Sequence, residues 1–175
     1  MILNMKSLYR KILCAFLLFL AVGQVQAGER DKRIGLNAGV LYPRIFNVTL
    51  QYEWETTYYN AWECYFDYAT QWNDCPQCGK VCMDSFWKEH YAYGFGLAYK
   101  PAIHRGKNSV ARFRIGSDIG ASKQSFALGV ELGFEYVWTL RNGIQLVAQQ
   151  KNEVTFWSKP RFKNGALLGI RFPLF

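Results

Sequence analysis

Cys64, Cys75, Cys78 and Cys82 are the residues of this 175-residue chain whose type and spacing come closest to chemistry. The last three are packed into Asn73-Asp-Cys-Pro-Gln-Cys-Gly-Lys-Val-Cys-Met-Asp-Ser-Phe86. Thiolates so spaced can ligate zinc or an iron–sulfur cluster, and Cys75-Pro-Gln-Cys78 has the spacing of a redox pair. In an exported chain, which meets an oxidising compartment, disulfides are the default. Four cysteines permit three pairings, and the sequence leaves the choice open. Acid–base chemistry has less to draw on. The only imidazoles are His90, near Ser85 and Glu89, and His104; a hydrolase needs a nucleophile, a base and an orienting group within reach. Neither histidine sits in a recognisable motif, so we expect no catalytic residue, no cofactor and no metal.

Charged residues fall at every second position of apolar segments. Across 46–55, Phe46, Val48, Leu50, Tyr52 and Trp54 alternate with Asn47, Thr49, Gln51, Glu53 and Glu55. In 61–72, Trp62, Cys64, Phe66, Tyr68 and Trp72 oppose Glu63, Tyr65, Asp67 and Gln71. In 90–100, Tyr91, Tyr93, Phe95, Leu97 and Tyr99 oppose His90, Ala92, Gly94, Gly96 and Ala98. Segment 110–121 sets Ala111, Phe113, Ile115 and Ile119 against Arg112, Arg114, Gly116 and Asp118. Segment 126–138 sets seven large apolar residues against Ala127, Gly129, Glu131, Gly133 and Glu135, and 166–174 alternates around Leu167, Gly169 and Arg171. Period two is the side-chain repeat of a strand. Weaker strands at 33–41 and 144–157 bring the expected count to eight; in 144–157, Gln150 and Asn152 interrupt the apolar face.

These strands must share one domain. Lys6, Arg10 and Lys11 precede the apolar run Ile12 to Val22 and the small-residue site Val25-Gln26-Ala27, as in a secretory signal peptide cleaved after Ala27. Residues 1–27 are therefore set aside, and 28–175 form the expected barrel domain. Lys plus Arg number 21 and Asp plus Glu 13; without Lys6, Arg10 and Lys11 the excess is five positive charges. Those basic residues are scattered, whereas nucleic-acid binding needs them clustered on a face or arm, so no direct nucleic-acid contact is expected.

Alternation alone does not decide which face meets solvent. An eight-stranded barrel has an interior only just wide enough for side chains. Gly, Ala and two Glu from 126–138 fit there; its seven large apolar residues do not. The chain is thus expected to be an all-β, eight-stranded antiparallel up-and-down transmembrane barrel in an outer membrane, with its apolar rows against lipid. Inside, Glu53, Glu63, Asp67, Arg112, Arg114, Asp118, Glu131, Glu135, Lys151, Glu153 and Arg171 would form a mutually neutralising plug. Outside, Trp54, Tyr99, Trp138 and Phe172 are expected in one aromatic belt, and Trp72 and Tyr91, with Phe126 and Phe156, in the other. Phe175, directly after the last strand, resembles the carboxy-terminal signal read by the barrel-assembly machinery. Thr56 to Asn60 and Thr139 to Gly143, with its Asn142-Gly143 turn signal, read as short periplasmic turns. Pro101 to Ser109 reads as a longer one.

In Asn60–Tyr68, Gly129–Tyr136, Arg141–Val147, Lys151–Trp157 and Gly165–Phe172, the order of strands and turns resembles the TraO family of conjugal transfer proteins from Bacteroidetes-type conjugative transposons. The resemblance implies a non-enzymatic envelope component whose partners are outer-membrane lipid and other conjugation-system envelope proteins. It brings no site residues. A general surface barrel with ligand-binding loops, or a lipid-modifying enzyme, are the other readings.

Overall fold

Side chains that alternate between small or charged and large apolar hold a chain extended, because only a strand sends successive residues to opposite faces. The computed structural model describes residues 31–72, 90–122, 125–157 and 159–174. Its strands are β1 (Lys32–Tyr42), β2 (Ile45–Glu55), β3 (Ala61–Gln71), β4 (His90–Lys100), β5 (Ala102–Arg105), β6 (Ser109–Ser122), β7 (Phe126–Thr139), β8 (Gln145–Phe156) and β9 (Phe162–Leu174). Neighbours pair antiparallel, and β9 pairs back onto β1. The sheet is therefore closed, with no free edge to template aggregation.

β4 and β5 together form one barrel strand. Pro101 lies between them, and with no N–H it cannot donate to the ladder. Both pieces pair with β6, and a register shift separates Ala102 from His104. The expected turn 101–109 is thus largely strand, and the turn proper is residues 106–108. β9 likewise begins at Phe162, four residues before the expected start, because its ladder to β8 continues through Asn152↔Asn164 to Val154↔Phe162. β8 matches the weaker expectation at 144–157, with Gln150 and Asn152 on the outer face.

The register sets the geometry. From Lys32 the hydrogen-bonded row runs through Trp54, Trp62, Tyr99, Ile115, Leu132, Asn152 and Asn164, and returns to β1 at Tyr42, ten residues on. A stagger of ten over eight strands, with ordinary strand spacings, gives a tilt of about 41° and a backbone radius of about 8 Å. Such a cylinder leaves room for side chains and little else.

At the end carrying the chain termini the connections are compact. The Asn142-Gly143 turn closes with Leu140 N–H to Ile144 O at 2.8 Å, and Gly143 takes φ +80°, which glycine adopts without a Cβ clash. In the β2–β3 turn, Tyr58 and Tyr59 also take positive φ, 62° and 64°. This uncommon geometry for tyrosine accompanies a contact into the barrel: the Tyr59 carbonyl accepts from Arg112 Nε at 2.9 Å. Asn60 Oδ1 accepts from Ala102 N at 2.9 Å, where Pro101 has interrupted the ladder.

Candidate functional site: the charged lumen

The inward row of each strand is buried, and much of it is ionised chemistry. Glu53, Glu63, Glu131, Lys100 and Arg171 are all 0% exposed. Charges without water are tolerable only when paired and hydrogen-bonded.

Lys100, at the end of β4, is the hub of the half nearer the termini. Its Nζ reaches Glu53 and Glu135 at 2.8 Å each and also bonds Glu63. Arg171 grips Glu135 in a two-pronged pair, with Nη1 to Oε1 at 3.0 Å, and its Nη1 lies 3.0 Å from Glu53. Arg112 meets Glu53 at 3.0 Å and Glu55 at 3.3 Å, and Arg33 holds Glu55 at 2.7 Å. Gln51 links the layer: with its amide turned to the orientation that satisfies both ends, its nitrogen donates to Glu63 Oε2 at 2.7 Å and its oxygen accepts from Arg171 Nε at 2.6 Å. Four carboxylates here, Glu53, Glu55, Glu63 and Glu135, meet four cations, Arg33, Lys100, Arg112 and Arg171.

Arg114 bridges to the other half, donating to Glu63 at 2.8 Å and pairing with Glu131. Lys151 then contacts Glu131 at 2.6 Å, Glu153 at 3.3 Å and Asp67. Lys163 reaches Glu153 at 2.5 Å, and Thr155 also donates to it at 2.9 Å. Asp118 is the exception: among the described residues it forms no ion pair, and its Oδ1 is buried without a hydrogen-bond partner. A cavity of about 20 Å³ lies beside it, lined also by Asn47, Asp67, Glu153 and Lys163. That is room for about one water molecule.

Tyr65 fills the middle. Its ring carries the Arg114 guanidinium 4.5 Å above its centroid. A Cβ on Gly96 would stand 2.1 Å from that ring, so the bare backbone of Gly96 is what lets the tyrosine lie across the lumen.

Glu53, Asp67, Arg112, Arg114, Glu131, Glu135, Lys151, Glu153 and Arg171 thus come together as one network, with Asp118 beside it and outside the pairing. Sequence reasoning missed Lys100, Lys163 and Arg33. Lys100 continues the inward row of His90 to Ala98 by one step, and that parity was the available signal; Lys163 was hidden by the late expected start of the last strand.

Two carboxylate trios, Glu53–Glu63–Glu135 and Asp67–Glu131–Glu153, have cation-binding spacing. Lysine ammonium groups occupy both, Lys100 in the first and Lys151 in the second. Cys64 is exposed on the outer face with no disulfide partner among the described residues. Cys75, Cys78, Cys82, Phe175, the leader and the side chain of His90 lie outside the described residues. His104 is an exposed residue of β5, at the end of the chain termini.

The outer face is apolar, with Phe95 at 64% and Phe134 at 57% exposure. With the tilt above, one residue along a strand rises about 2.5 Å and one step between strands about 3.1 Å. On that lattice Trp54, Tyr99, Trp138 and Phe172 fall in one belt, joined by Trp62, whose ring centroid is 4.9 Å from that of Tyr99. Trp72, Tyr91, Phe126 and Phe156 fall in another. The belts stand about 26 Å apart, against an apolar band of about 25 Å in membrane barrels.

Comparison with solved structures gives the same architecture. A major outer membrane protein of Thermus thermophilus superposes with a TM-score of 0.56 at 11% identity, over 84% of this chain and 100% of that one. The Yersinia pestis outer membrane protein Ail gives 0.56 at 10% identity, over 83% and 100%. The outer membrane enzyme PagL gives 0.50 at 11% identity, over 81% and 99%. No protein-family model and no curated protein matches the sequence. The chain has the closed eight-stranded antiparallel fold of small outer-membrane β-barrels.

Proposed function

We propose that this chain is a non-enzymatic, non-conducting outer-membrane barrel that serves as an envelope component of a conjugative DNA transfer apparatus. The observation carrying the first part is the lumen: side chains from β1 to β9 interlock as ion pairs across it, while the outer surface is a band of large apolar groups. Burying such charge while exposing such apolar surface is costly in water and favourable in a bilayer. A plug of this kind leaves no path for ions. The proposed role in conjugation rests on the TraO resemblance alone, and its partners would be other envelope proteins of that apparatus, with outer-membrane lipid around it.

Deleting the gene in a donor strain and measuring transfer frequency tests the role. Transfer should fall and return with the intact gene; unchanged transfer would remove it. Purified protein in planar bilayers should give no steady conductance, and discrete open channels would refute the plug.

A second reading, a surface barrel whose loops bind ligands, is favoured by one feature. At the end opposite the termini, the β3–β4 connection spans residues 72–89, whereas β1 and β2 are joined by Pro43-Arg44 alone. Deleting 73–86 should abolish binding to cells or ligands while leaving a folded barrel, if that reading holds.

A further inference from the structure

The outer face carries three carboxamide side chains near the middle of the lipid-facing band. Gln150 and Asn152 on β8 and Asn164 on β9 all sit in the outward rows, neighbouring Leu132, Phe134 and Ala166. On the barrel lattice they lie within about 5 Å of the midplane between the two aromatic belts. Hydrocarbon offers a carboxamide no hydrogen bond, and leaving one unmet costs several kcal/mol.

Part of the demand is met internally. Asn152 Nδ2 donates to the Leu132 carbonyl at 3.1 Å, and Asn164 Nδ2 donates to Asn152 Oδ1. Gln150, between them and the terminal end, makes no hydrogen bond among the described residues. Beside it the surface dips. Ala148 and Ala166 floor a depression of about 330 Å³ walled by Phe134, Tyr136 and Leu168. Leu168 stands at its rim, 71% exposed.

We infer that this β7–β9 face is where a second copy of the chain docks within the membrane, a step that rests on the outer-membrane reading above. Two copies inserted the same way are related by an axis along the membrane normal, so residues at equal depth meet their own counterparts. A symmetric contact must be self-complementary. A carboxamide is its own complement, donating from nitrogen and accepting at oxygen, so Gln150 of each copy satisfies the other. The exposed Leu168 beside it, at nearly the same depth, adds apolar contact to this face.

The test uses the processed protein in phosphatidylethanolamine–phosphatidylglycerol vesicles, with donor- and acceptor-labelled molecules mixed at low protein-to-lipid ratio. Energy transfer above the random level, competed by unlabelled protein, is expected. Gln150→Leu should weaken association about fivefold, the effect of about 1 kcal/mol for an intramembrane hydrogen bond. Leu168→Ala should weaken it too, and Leu50→Ala on the opposite face should leave it unchanged. Shifted electrophoretic mobility before and after heating checks that each variant is folded and inserted. An inserted barrel that stays monomeric overturns the inference and leaves the membrane reading standing, as does association indifferent to Gln150→Leu. Association with a different protein in place of a second copy overturns it likewise. Protein that fails to insert at all overturns both.

Discussion

The two halves of the lumen use the same residue types to different effect. Nearer the termini, four carboxylates face four cations and every charge has at least one partner. In the other half Asp67, Asp118, Glu131 and Glu153 share Arg114, Lys151 and Lys163, and one carboxylate is left over. The cavity lies beside the leftover carboxylate. The difference teaches that charge balance is local: the terminal half is a fully paired ion cluster, and the other half, buried as well, keeps one carboxylate beside room for about one water.

Lys100→Met is the harshest way to test this contrast. It strips Glu53, Glu63 and Glu135 of a shared cation, and breaking a buried pair costs about 3–5 kcal/mol because an uncompensated charge remains. Urea unfolding of the reconstituted barrel, followed by tryptophan fluorescence, should show that loss, while Lys163→Met, which leaves Glu153 its second cation Lys151, should cost less, about 1–3 kcal/mol. Equal losses would erase the distinction.

Leu132→Arg probes the solvent on the other side of the wall. Near the midplane it should destabilise the inserted barrel by about 2–4 kcal/mol. A negligible effect in the same unfolding assay would mean that the apolar row does not face hydrocarbon.

The carboxylate-to-amide pair sharpens the comparison further. Glu135→Gln removes the charge gripped by Arg171 and Lys100 and should cost about 2–3 kcal/mol. Asp118→Asn removes a charge without a counter-ion, so stability should hold or rise slightly. A destabilisation of Asp118→Asn matching that of Glu135→Gln would show that Asp118 has a partner in the folded barrel.

A further expected effect concerns packing between the halves. Gly96→Ala places a methyl against the Tyr65 ring and should cost about 1–3 kcal/mol by overpacking. Gly96→Ala combined with Tyr65→Leu should recover most of it, since the clash is with that ring. No recovery would locate the strain in the backbone.

Much of this molecule was legible in its sequence because a strand's side-chain period is two, and membrane and lumen demand opposite chemistry of the two faces. The outward row Phe126 to Trp138 and the inward Glu131 and Glu135 follow from that rule, as do the eight strands. The rule fails where the chain departs from uniform pairing. Pro101 splits a strand without ending it, so β5 resembles a turn in the sequence. Lys163 lies beyond an expected boundary that only the ladder between β8 and β9 extends.

Parity in the sequence by itself determined which side chains enter the barrel and which leave it. Pairing was decided by the tertiary structure alone. The stagger of ten residues around the closed sheet brings Lys100 to Glu135, Arg114 to Glu63 and Lys151 to Asp67, partners 35, 51 and 84 residues apart. It also leaves Asp118 without a counter-ion and sets Gln150, Asn152 and Asn164 side by side in the lipid band. Contacts of that kind depend on the register across every strand between the partners, which no local pattern of residues encodes.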